Sequence, residues 1–100
     1  MEFGVPAKDI HKCAITGLVV NIYGKGPSSK AGPITSIALR ADMDGLPIPE
    51  NNPHLEYKSQ TDWAHMCGHD GHVVTLLSFT QVLMKNIKNV PKNKFVRLLF

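Results

Sequence analysis

An apolar stripe of helical period, formed by Val73, Val74, Leu76, Leu77, Val82, Leu83 and Ile87 within residues 71–88, stands between two short apolar runs at 34–40 and 95–100. A stripe of that width must be buried against a second layer. The flanking runs, rich in Ile, Val, Leu and Phe, read as strands that supply it. A third β-like stretch, 12–23, carries Ile15, Val19, Val20, Ile22 and Tyr23 and is read as one strand. The run 34–40 is nearly all apolar toward its end, the pattern of a strand covered on both faces. These patterns predict an α/β chain, a mixed sheet containing parallel strands and flanked by helices. Residues 24–33 hold three glycines, two prolines and two serines and read as a loop. Residues 46–63, with three prolines and two asparagines, read as a long irregular excursion, and loops of that length inside a compact domain usually carry function.

One hundred residues with 43% hydrophobic and 19% charged side chains make one ordered domain. The chain stops inside a strand pattern at Leu98-Leu99-Phe100. We therefore expect it to be the first part of a longer catalytic domain. The net charge of +3 is spread out, and Lys85, Lys88, Lys92, Lys94 and Arg97 are not interleaved with stacking aromatics. That composition argues against a nucleic-acid partner. No apolar run approaches bilayer length, and the first nine residues lack the pattern of a secretory signal. The expected setting is cytoplasmic, without a membrane partner. Cys13 is expected to be a small buried strand residue, and no disulfide with Cys67 is expected.

The chemistry concentrates in His65-Met66-Cys67-Gly68-His69-Asp70-Gly71-His72. Thiolate and imidazole suit borderline divalent cations such as zinc, and Gly68 lets Cys67 and His69 converge on one ion. Asp70 is expected to cap the following helix and His72 to face the interior. His65 is a candidate to orient a ligand from behind. A second polar cluster, Asp42-Met43-Asp44-Gly45, follows directly on the strand 34–40. Two carboxylates one residue apart can share a side of an extended chain. They either bind a second cation, hold a ligand imidazole, or form a turn. Both clusters lie at the ends of buried elements, which suggests one site.

The segments Arg40-Ala41-Asp42-Met43-Asp44-Gly45-Leu46-Pro47-Ile48 and His65 through His72 closely resemble the two N-terminal signatures of the amidohydrolase branch of the co-catalytic metallopeptidases. That branch includes hippurate hydrolase, N-acyl-amino-acid amidohydrolases and the plant hydrolases of indole-acetyl amino acids. The flanking Thr16-Gly17-Leu18-Val19, Tyr57-Lys58-Ser59 and Val96-Arg97-Leu98-Leu99-Phe100 keep the same order and spacing. The resemblance implies hydrolysis of the amide in N-acyl amino acids or dipeptide-like substrates by a pair of divalent metals, manganese or zinc. It places Cys67 and His69 as metal ligands and Asp44 as a supporting acid, with Asp42 beside it. It also implies that the general base, a glutamate, and the remaining ligands follow Phe100. A dimerisation domain would lie further on, absent from residues 1–100. Met66 and Gly45 stand where the family usually has Ala, and Met66 is expected to narrow the substrate pocket. Two other classes compete with the enzyme. A truncated paralogue would bind metal or a partner without turnover, and a redox protein would use Cys67 with no resolving cysteine nearby.

Overall fold

The structure, a computed structural model, describes residues 2–28 and 32–100. Part of the loop expected at 24–33 thus lies outside the described residues. A four-stranded mixed sheet forms from β1 (Ile10–Cys13), β2 (Gly17–Tyr23), β3 (Thr35–Arg40) and β4 (Lys94–Leu99) in the order β1-β2-β4-β3. The helix α1 (His69–Lys85) lies between β3 and β4 in sequence. β3 and β4 are parallel, whereas β1 with β2 and β2 with β4 are antiparallel. Parallel neighbours need a long crossover, and here the excursion and α1 together provide it.

The stretch read as one strand over 12–23 is a hairpin. Cys13 pairs with Gly17, and Ala14 and Ile15 turn the chain in the left-handed region, with φ of 50° and 67°. The helix begins two residues earlier than expected and ends at Lys85, with a single 3-10 turn at Ile87–Asn89 completing the expected span.

The core forms where α1 crosses the centre of the sheet. Alternation places Val20 and Ile22 of β2 and Val96 and Leu98 of β4 on one face, and Leu98 is fully buried. Against them pack Leu76, Ile87, Val5 and Ala41, with Val73, Leu83 and Met84 partly buried alongside. On alternate positions, buried Asn21 accepts a hydrogen bond from Arg97 Nε at 2.8 Å, and the Tyr23 and Phe95 rings lie 5.2 Å apart. Both pairs are cross-strand partners in register, so one polar and one aromatic pair close that side of the β2–β4 ladder.

The strand expected to be covered on both faces is an edge strand here. Ile37 pairs with Val96, yet it is 59% exposed, while Leu39, two residues on, packs against the core. The helical stripe is likewise only partly used, since Val74 and Val82 face away from the sheet and are exposed.

Candidate metal centre

The sheet fixes one side of the site. Arg40 pairs with Leu99, and the Ala41 N–H donates to the Leu99 carbonyl at 2.9 Å. The backbone is therefore held in register up to the residue before Asp42. This is the carboxyl end of a parallel strand, the edge at which open α/β sheets gather ligands. The helix fixes the other side. Gly68 precedes it with φ of 93°, a left-handed conformation that glycine adopts without a Cβ penalty. The first helical bond runs from the His72 N–H to the Gly68 carbonyl at 3.2 Å.

His69 and His72 are one turn apart and so share a face of α1. Asp44 accepts a hydrogen bond from Nδ1 of His69 at 2.7 Å, and Asp42 accepts one from Nδ1 of His72 at 2.8 Å. An ionised carboxylate only accepts, so each ring carries its proton on Nδ1. In the neutral tautomer this leaves Nε2 as a free electron-pair donor. Nε2 of His69 lies 3.7 Å from the second oxygen of Asp42, and the two rings stack with centroids 5.5 Å apart. The hydrogen bond from His72 is the leading cause that holds the Asp42 carboxyl below its ordinary pKa.

Among the described residues, Asp42, His69 and His72 form a group whose metal-binding atoms all lie within 4.8 Å of one another. The sulfur of Cys67 falls outside that group, and Cys67 is exposed. Asp70 does not cap the helix. It is the second residue of α1, and its carboxylate meets the positive end of the helix dipole from within the first turn. His72 does not face the interior, since its side chain is 61% exposed. Cys13 is exposed as well, on the outermost strand.

Beside these residues lies a cleft of about 480 Å³, lined by Met43, Tyr57, Trp63, His65 and Asp70 among others. Met66 is 42% exposed and is not among the residues that line this cleft. The excursion that walls the cleft has internal order that its sequence conceals. Leu46 and Ala64 exchange backbone hydrogen bonds, both at 2.9 Å, closing its neck. Glu50 accepts from the Ser59 N–H at 2.7 Å and the Asn52 amide at 3.0 Å. These bonds hold the Glu50 carboxyl below its ordinary pKa, the Ser59 bond leading. Ser59 donates in turn to the Trp63 carbonyl.

Such a combination, a mixed sheet with imidazoles and carboxylates gathered at the end of a parallel strand, is shared with a class of hydrolases. Residues 38–100 match the profile of Peptidase family M20/M25/M40, and the chain belongs to that family. Thermostable carboxypeptidase 1 of Saccharolobus solfataricus is 45% identical over 85 residues, a match that covers 84% of this chain and 20% of that protein. An uncharacterized hydrolase of Staphylococcus aureus is 41% identical over 81 residues, covering 78% of this chain and 19% of its own. Among solved structures, the YXEP protein of Bacillus subtilis, described as a dinuclear metal binding peptidase of the M20 family, superposes with a TM-score of 0.73 at 29% identity. The match covers 99% of this chain and 25% of that one. The chain thus spans about a fifth of the length of the curated relatives it matches.

Proposed function

We propose that this chain is the N-terminal part of the catalytic domain of a metal-dependent hydrolase that cleaves the amide of N-acyl amino acids or related linear conjugates. The observation that carries the reading is the 2.7 Å hydrogen bond from His69 Nδ1 to Asp44, which frees Nε2 beside Asp42 at the carboxyl end of β3. A carboxylate behind an imidazole is the usual support of a metal-ligating histidine. The donor set fits a divalent ion, since imidazole, carboxylate and a nearby thiol are ligands that zinc and its neighbours accept.

In this reading His69 and Cys67 hold metal, and Asp44 keeps the His69 ring in the required tautomer and orientation. Two divalent ions, zinc or manganese, would polarise the amide carbonyl and ease deprotonation of the attacking water. Tyr57, Trp63 and Met43 give the cleft apolar and aromatic surface suited to an acyl group, while Glu50 keeps that wall in place through Ser59. A base beyond Phe100 and a dimerisation domain complete the enzyme.

The reading is tested on the complete polypeptide with N-acyl amino acids, including hippurate-type and indole-acetyl conjugates, and with C-terminal peptide substrates. Hydrolysis that a chelator abolishes, that zinc or manganese restores, and that His69→Ala or Cys67→Ser removes is the expected result. Turnover unaffected by chelation and by both substitutions overturns it.

A further inference from the structure

We infer that Trp63 is the residue of the cleft that selects the acyl group, and that Ser59 and Thr61 are positioning residues that set it there through their hydroxyls. The inference rests on the amidohydrolase reading and adds which side chain discriminates, and between what.

Both backbone polar groups of Trp63 are taken up by side chains. Its N–H donates to Oγ1 of Thr61 at 3.2 Å, and its carbonyl accepts from Oγ of Ser59, which in turn accepts from the Thr61 N–H at 3.2 Å. The next residue, Ala64, is tied to Leu46 by the backbone bonds at the neck. Trp63 therefore has a fixed backbone, yet it is 58% exposed and lines the cleft. Among the described residues no other ring packs on Trp63 or Tyr57, and the indole N–H has no hydrogen-bond partner. A held backbone with an open aromatic face is a preorganised surface for a ligand. Met43, from between Asp42 and Asp44, lines the same cleft, as do His65 and Asp70 from either side of Cys67 and His69. A group lodged against Trp63 thus lies next to the metal-binding residues. Glu50 and Asp70 also line the cleft, with no lysine or arginine. Flat, uncharged acyl groups gain by stacking on the indole, and acyl groups that carry a carboxylate are repelled.

The test uses the complete, metal-loaded polypeptide and compares kcat/KM for the N-benzoyl, N-acetyl and N-succinyl derivatives of one amino acid. The unsubstituted enzyme is expected to prefer benzoyl to both others. Trp63→Ala is expected to lower the benzoyl-to-acetyl ratio about tenfold, and Trp63→Phe to lower it less. Ser59→Ala, which keeps the N–H that Glu50 accepts, is expected to lower the same ratio through KM rather than kcat, and Ser59→Thr, which keeps the hydroxyl, to restore it. Chelator-sensitive turnover whose benzoyl preference survives both Trp63→Ala and Ser59→Ala overturns the inference and leaves the hydrolase reading standing. Succinyl turnover equal to benzoyl turnover in the unsubstituted enzyme, a comparison that needs no variant to fold, overturns it too. Absence of chelator-sensitive hydrolysis of all three derivatives overturns the hydrolase reading and this inference with it.

Discussion

Gly68 sets the direction in which α1 leaves the Cys-His segment, and it does so through its backbone alone. A Cβ at this position would meet no atom within 4 Å, so the cost of Gly68→Ala is conformational. That cost is about 1–2 kcal/mol of folding stability, read as a lower urea midpoint with an unchanged slope. Ile15 presents the opposite case, a β-branched residue at φ 67° that is almost wholly exposed. Ile15→Gly is expected to raise stability by about 1 kcal/mol, because relief of the left-handed strain outweighs the added freedom of the unfolded chain. Glu50 supplies a pH signature. Its carboxyl is held below its ordinary value in the folded chain, so it stabilises above the unfolded pKa and that contribution is lost as pH falls through the folded pKa. Urea midpoints measured from neutral into acid are expected to fall, and Glu50→Gln to flatten that fall. Glu50 was not legible as a loop organiser, because Ser59 lies nine residues away and nothing in the intervening sequence points back to it.

Leu98 is the penultimate residue of β4, an inner strand of the sheet, and its side chain is fully buried. Leu98→Ala removes a packed side chain at the core's densest point and is expected to cost about 2–5 kcal/mol, measured by thermal or urea unfolding. Elements of this kind were readable: α1, β3 and β4 each announce themselves by period or by an unbroken apolar run. The hairpin was not, because Ala14-Ile15-Thr16 holds none of the Asn-Gly or Asp-Gly chemistry that marks a tight turn. Nor could the apolar run at 34–40 reveal that β3 is an edge strand here, since periodicity reports which faces are apolar and says nothing of what covers them. The meeting of the two polar clusters was readable from their places at strand end and helix start. Which carboxylate holds which histidine was not, because that depends on α1 beginning at His69, two residues before the apolar pattern does.

As a whole, the described chain has a radius of gyration of 16.8 Å and extents of 55 × 25 × 22 Å. A compact 100-residue domain measures about 13 Å, so this chain is elongated. Ile37 on the edge strand and Val74 and Val82 on the helix leave apolar surface uncovered. Val82→Gln is expected to change stability by less than about 0.5 kcal/mol while raising the concentration at which the chain stays monodisperse, followed by light scattering. A drop in stability well beyond that would show Val82 to be packed. The closed neck of the excursion has a different bearing. Because Leu46 and Ala64 are tied to each other across the neck of the span, residues 47–63 behave as a cassette. Insertions, deletions and new side chains there are absorbed before they reach Asp42, Asp44 or His69. A lineage built on this arrangement can vary one stretch of gene while the end of the sheet that carries the carboxylates inherits its geometry unaltered.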